Sequence, residues 1–202
     1  IDIFDPKTFT EEVTIAGCGN IGSQTSLALV RLGIKNFTLF DPDKVEEHNL
    51  SSQSFFIDDV ERIKVERTAM ILANVNKNVK VLTNYKKCNG SKNLSEYLII
   101  AVDSMLERKK IADQLEKAVI KPKKIIDGRM GGPQLEIYTC DTAEEWSKTF
   151  SDNPDKDPCT ARYISYTSMI IGALIANQLK RVIKNEEYKK EILFNIDTLQ
   201  LL

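Results

Sequence analysis

Val13-Thr14-Ile15-Ala16-Gly17-Cys18-Gly19-Asn20-Ile21-Gly22 is the stretch on which the fold turns. Val13 to Gly17 reads as a short buried strand, and Asn20 to Leu32 as a helix carrying Ile21, Leu27, Ala28, Val30 and Leu32, with Gly33 as its stop. Between them Gly17, Gly19 and Gly22 spell G-x-G-x-x-G, placed after a strand and opening a helix as a phosphate-binding loop requires. The first glycine makes the turn, the second admits a phosphate to the backbone, and the third lets helix and sheet approach. The N–H groups at the start of the helix, Asn20 and Ile21 included, offer donors and partial positive charge to an anion. Asp41 ends the next strand, Asn36 to Phe40, 19 residues beyond Gly22, where a carboxylate accepts from ribose hydroxyls. At this point NAD and ATP are equally allowed, and a nicotinamide oxidoreductase stands beside an ATP-using enzyme.

The pattern continues outward. Helices are expected over Asp58 to Asn74, capped by Asp58 or Asp59, over Met105 to Val119, and over Ala161 to Lys184. Strands are expected over Lys80 to Thr83, Tyr97 to Val102, Lys124 to Asp127, Gln134 to Thr139 and Ile192 to Asp197, with residues 141–158 as polar loop. Short apolar strands alternating with helices imply a mostly parallel sheet covered on both faces. From Gly131 the alternation lapses, which reads as antiparallel additions to the same sheet and one long crossover helix, within a single domain, 1–202.

Composition narrows the function. Twenty-eight basic against 29 acidic residues leave no electrostatic footprint for nucleic acid, and the longest apolar run, Met169 to Ala176, is too short to span a membrane. With one histidine, His48, a His-rich metal site is excluded. Cys18, Cys88, Cys140 and Cys159 lie 70, 52 and 19 residues apart with no C-x-x-C pair, so free thiols in a reducing, cytoplasmic compartment are expected rather than disulfides or a structural zinc. The chain begins at Ile1 rather than Met, which makes a missing N-terminal piece one expectation.

Asp41-Pro42-Asp43-Lys44-Val45-Glu46-Glu47-His48-Asn49-Leu50-Ser51-Ser52-Gln53 resembles the D-x-D-x-V-x-x-x-N-L-x-R-Q signature of the ThiF/MoeB/HesA family, adenylating enzymes related to ubiquitin activators. The likeness extends to Lys64, to the D-x-x-x-x-R run from Asp103 to Arg108, to the strand end Asp127 to Gly132, and to Cys159-Thr160-Ala161 before the long helix. It implies a Rossmann-like doubly wound α/β fold and the joining of a carboxylate to the α-phosphate of ATP. The acceptor implied is the C terminus of a small ubiquitin-like or sulfur-carrier protein. Such a reaction gathers negative oxygens and needs cations and a metal. The resemblance accordingly makes Lys64 a phosphate-binding cation and Asp103 a Mg²⁺ ligand at a strand's carboxyl end. Asp41 and Asp43 hold the ribose, Asn49 and Gln53 bond phosphate or carboxylate, and Arg108 belongs to the nucleotide site. Cys159, near a helix N-terminus, is the candidate thiol for a later covalent transfer. The long helix is expected to be buried on several sides and, by the resemblance, shared in a homodimer.

Three departures stand out. Ser52 occupies the place of the signature's arginine, no arginine of a partner-reaching N-terminal segment is recognisable in Ile1 to Glu12, and the two C-x-x-C pairs that bind zinc in relatives are absent. Loss of one charge-stabilising donor costs on the order of 3 kcal/mol in a transition state. Arg129, between a strand and the Gly131-Gly132 turn, is the candidate substitute, the alternative being an internal pair with Asp127 or Asp103. The rival readings are adenylation of a peptide or tRNA-attached carboxylate, a degenerate ATP-binding scaffold subunit, and, last, the nicotinamide enzyme.

Overall fold

Val13–Ala16 forms the first strand, β1, and all four of its residues are buried. A strand with no wet face has to lie inside a sheet covered on both sides. The computed structural model describes residues 10, 12–90, 94–150 and 165–201. Along the chain follow α1 (Asn20–Leu32), β2 (Asn36–Phe40), α2 (Lys64–Val75), β3 (Lys80–Asn84), β4 (Tyr97–Ile100), α3 (Met105–Lys117), β5 (Lys124–Gly131), β6 (Gln134–Cys140), α4 (Ala143–Ser147), α5 (Ser165–Ile183), β7 (Glu191–Asn195) and β8 (Gln200–Leu201).

One eight-stranded sheet runs in the order β3-β2-β1-β4-β5-β6-β7-β8. The first five strands are parallel, and β6, β7 and β8 add antiparallel at the C-terminal side. This is the Rossmann-like α/β arrangement expected from the sequence, antiparallel additions included. Two apolar layers follow from the strand alternation. Val13, Ile15, Phe37, Leu39 and Ile99 join Leu29, Leu72, Ile171 and Ile175 on the face of α1, α2 and α5. Ala16, Phe40, Leu98 and Ile100 join Ile111, Leu115 and Trp146 on the face of α3 and α4.

Several boundaries differ from the sequence pattern. The helix expected from Asp58 begins at Lys64, because Glu61 adopts a left-handed φ of 66° that a helix cannot contain. Asp59 closes a short 3₁₀ turn instead, accepting from the Phe56 N–H and pairing with Arg67. Strand β5 runs on to Gly131, and α4 occupies residues read as polar loop. Thr142 caps α4 by accepting from the Glu145 N–H. Helix α5 is less enclosed than its composition suggests, since Tyr166 and Met169 are 47% and 56% exposed.

The buried Asp127 organises the α3–α4 side. Its Oδ1 accepts from Arg108 Nε at 3.0 Å, and its Oδ2 from Arg129 Nε at 2.8 Å and Trp146 Nε1 at 2.9 Å. Arg108 also donates to the Gly128 carbonyl, and Arg129 to the carbonyl and hydroxyl of Thr149 while stacking 4.4 Å from the Tyr138 ring. Two residues expected to reach the cleft are therefore found buried on this side instead, Arg108 at 0% and Arg129 at 3% exposure. Along β5 neighbouring side chains alternate faces, so Asp127 and Arg129 point together under α4 while Met130 points into the opposite layer.

Burial pushes the Asp127 carboxyl upward, but the charges of Arg108 and Arg129 and the Trp146 N–H outweigh it and hold it below 3.8. A depressed folded pKa contributes stability that is present above the unfolded value and is lost only as pH falls through the folded one. Replacing Asp127 with Asn strands two buried guanidinium groups. Chemical denaturation at pH 7 is expected to show a loss of about 3–5 kcal/mol, and wild-type unfolding should show no Asp127-linked loss until pH drops below 3.8.

Candidate functional site

The chain leaves β1 toward β2 and β3 on one side, then returns to β4 on the other. That reversal opens a crevice at the carboxyl ends of the strands, the usual place for a ligand in an open α/β sheet. A cleft of about 350 Å³ occupies it. It brings together Gly17, Gly19, Asn20, Ile21, Asp41, Asp43, Asn49, Gln53, Lys64 and Asp103, which lie up to 86 positions apart in the chain. Gly22 lies behind the loop, Arg108 and Arg129 are buried on the α3–α4 side, and Cys159 lies outside the described residues.

Each glycine has a steric reason. Gly17 has φ 98°, and a Cβ there would meet the Ala101 carbonyl oxygen at 2.5 Å. A Cβ on Gly22 would sit 1.8 Å from the Gly17 oxygen, so only glycine lets α1 start this close to the turn. At Gly19 the nearest atom is Gln53 Nε2 at 3.9 Å, which leaves the backbone open toward the cleft.

Asp41 holds the loop in place. It is 5% exposed, its Oδ2 accepts from the Cys18 N–H at 2.7 Å and its Oδ1 from the Asp43 N–H at 2.8 Å. Burial raises its pKa above 3.8, and those two N–H groups and Lys64 only partly offset that. Asp43 is different: its side chain is 61% exposed, with Lys64 Nζ 3.4 Å away. The two aspartates expected to act alike therefore divide, with Asp41 gripping backbone and Asp43 facing the cleft. Lys64 is mostly buried at the first position of α2, and its own N–H donates to the Asp43 carbonyl. A lysine surrounded in sequence by Glu61, Arg62, Glu66 and Arg67 would otherwise pass for a solvated helix face.

Asn49 is buried and its Oδ1 accepts from the Glu46 N–H, tightening the turn between β2 and α2. Gln53 Oε1 is buried without a partner among the described residues. Ser52, in the place of the family arginine, is 2% exposed; its hydroxyl donates to Asn20 Oδ1 and its carbonyl accepts from Ser168. That position fastens the loop to α1 and α5 and contributes no charge. Asp103 is exposed after β4, while Ser104 caps α3 by accepting from the Glu107 N–H, so the cap does not consume the Asp103 carboxylate.

The cleft also contains residues that motif reading passed over: Lys87 and Cys88 after β3, and Glu107 on α3. None belongs to a periodic pattern, and Lys87 and Cys88 reach the cleft only because the segment after β3 crosses toward α3. Lys87 pairs with Glu107 at 3.2 Å. Cys88 is pushed up to about 11 by burial, and Cys18 is raised by burial and by Asp41, so neither is a thiolate near neutrality. Among the described residues, the carboxylates Asp41, Asp43, Glu46, Asp103 and Glu107 share the cleft with two cations, Lys64 and Lys87.

Residues 6–201 match the ThiF family. The chain belongs to that family. Among curated relatives, the ubiquitin-like modifier-activating enzyme 5 of Aedes aegypti is 42% identical over 74 residues, 37% of this chain and 19% of that protein. The same enzyme of Drosophila mojavensis is 34% identical over 96 residues, 48% of this chain and 24% of that protein. The matched stretches thus span a quarter or less of these relatives. Among solved structures, E. coli MccB with ATP has a TM-score of 0.78 at 18% identity, covering 96% of this chain and 63% of that one. MccB in complex with N-formylated MccA, described as a microcin C7 biosynthetic enzyme, has a TM-score of 0.81 at 19% identity, covering 96% and 64%. At such identity the likeness is one of fold, and it agrees with the ThiF-family sheet described above.

Because the Asp41 pKa is raised in the folded ThiF-family chain, its linked stability is present below 3.8 and is lost as pH rises through the folded value. Asp41→Asn removes this dependence. Denaturation across a pH series should show the variant gaining on wild type as pH rises from below 3.8 toward neutrality; a constant difference would remove Asp41 from this role.

Proposed function

We propose that this chain activates a carboxylate with ATP, the acceptor being the C terminus of a small ubiquitin-like or sulfur-carrier protein. The observation that carries the reading is the convergence of the glycine loop, the Asp43–Lys64 pair and Asp103 in one cleft at the strand reversal. The start of α1 and the open backbone at Gly19 receive phosphate oxygens. Asp43 accepts from ribose hydroxyls, and Lys64 stands beside it as the cation for the α-phosphate. Gln53, whose amide oxygen has no partner among the described residues and whose amide can turn over, bonds the incoming carboxylate. A carboxylate oxygen attacks the α-phosphorus, the new P–O bond forms, the bond to the β-phosphate oxygen breaks, and pyrophosphate leaves with that electron pair.

The exposed carboxylate of Asp103 fits Mg²⁺, which characteristically binds one or two carboxylates along with phosphate oxygens and water. Among the described residues no three His, Cys, Asp or Glu side chains form a metal cage. When bound, Mg²⁺ would neutralise phosphate charge in a cleft where carboxylates outnumber lysines. Cys159 is the candidate acceptor thiol for any later transfer, in a cytoplasmic setting suited to the free thiols of Cys18, Cys88 and Cys140.

The test is exchange of labelled pyrophosphate into ATP with a candidate acceptor and Mg²⁺. Lys64→Met is expected to lower the exchange rate by about 100-fold, and Asp103→Asn to raise the Mg²⁺ concentration needed for half-maximal rate. Exchange unaffected by both changes would defeat the assignment. A second reading is favoured by Ser52 and by the inward turn of Arg129, which leave the described cleft without an arginine. In that reading the chain is a scaffold subunit that binds ATP and supports no exchange with any acceptor.

We also infer a homodimer through α5, supported by the exposure of Tyr166 and Met169. Gly172 packs against α1, where a Cβ would meet Gln24 at 2.8 Å. Sedimentation should give a dimer for wild type and a monomer for Met169→Asp; a monomeric wild type would end this inference.

A further inference from the structure

The cleft has two unlike ends. One holds Lys64, Asn49 and Gln53 on the α1–α2 side. The other is walled by Phe40, Cys88, Ala101 and Val102 and closed by Glu107 and Lys87. Phosphates belong at the first end, beside the glycine loop. A flat apolar base belongs at the second, where only its edge needs polar partners.

Glu107 is arranged to supply such a partner. Lys110 Nζ at 2.9 Å and Lys87 Nζ at 3.2 Å both reach the same oxygen, Oε1. The second oxygen, Oε2, has no partner among the described residues. The Glu107 side chain is 15% exposed, while those of Lys87 and Lys110 are 64% and 58% exposed. The bond from Lys110, opposed by burial and helped by the bond from Lys87 and the charges of both lysines, holds the carboxyl below its ordinary range, so it remains a pure acceptor at neutral pH. The two lysines come from different elements, the segment after β3 and helix α3, and their joint hold on Oε1 fixes the orientation of the carboxylate.

We propose that Glu107 is the base-reading residue of this cleft: its free oxygen accepts from the 6-amino group of adenine, with Lys87 holding it in position. The proposal rests on the nucleotide reading above and adds a specificity determinant outside the glycine loop and the D-x-D segment. Guanine in the same slot would set its 6-keto oxygen against the carboxylate, acceptor facing acceptor. A purine with hydrogen at position 6 would forgo this bond and keep only the contacts it shares with adenine.

The experiment compares binding of ATP, GTP and purine riboside 5′-triphosphate to the intact chain by calorimetry, for wild type, Glu107→Ala and Glu107→Gln. Wild type is expected to bind ATP about 10-fold or more tightly than either analogue, as a bond to a charged acceptor would give. In Glu107→Ala the gap between ATP and purine riboside triphosphate should close to within about two-fold, while Glu107→Gln, which keeps an amide acceptor, retains part of it. Thermal unfolding of the same samples checks that α3 is intact. A gap that persists in Glu107→Ala, a wild type without a gap, or tighter binding of GTP overturns the base-reading role while leaving the nucleotide site standing. Failure of wild type to bind any of the three overturns both.

Discussion

Between Gly17 and Gly22 there is no room for a side chain: a methyl group at position 22 would collide with the carbonyl oxygen of position 17. That contact brings the start of α1 against the end of β1 and aims its free N–H groups into the crevice between β1 and β4. Asp41 then ties the loop to the end of β2 through two backbone N–H groups. A buried carboxylate in this role is itself unfavourable without such donors, so loop geometry and carboxylate depend on each other. The cleft, its cation and its exposed carboxylates take their places relative to this one close approach.

A second carboxylate, Asp127, does comparable work on the opposite face without touching the cleft. Two arginines and a tryptophan converge on it and knit β5, α3 and α4 together. An ion pair removed from water requires near-complete hydrogen bonding to be tolerated, and Asp127 meets that condition with donors from three elements. The consequence for the site is subtractive: Arg108 and Arg129, both attractive as phosphate ligands on paper, are committed to the interior. Among the described residues the cleft keeps two lysines beside five carboxylates.

The fold was legible because its signals are local. A strand, a glycine turn and a helix are encoded within twenty residues, and Asp41 follows at the end of the next apolar run. The start of α2 was not legible, because a left-handed Glu61 is a backbone choice that no periodicity reports. Helix α4 was hidden in polar sequence, and its anchor Trp146 finds its reason only in Asp127, 19 positions away. Asp41 and Asp43 looked equivalent until burial separated them.

The amino-acid sequence by itself determined the Rossmann-like sheet, its antiparallel end and the membership of the glycine loop, Asp41, Asn49, Lys64 and Asp103 in one motif set, since each is written in short-range pattern and order. Only the tertiary structure decided which charges face the cleft. That outcome depends on strand alternation, which turned Arg129 inward, on the passage of the segment after β3 to α3, which brought Lys87 to Glu107, and on the donors available to each carboxylate. Those are distances between residues far apart in the chain, set when the layers pack, and no local stretch contains them.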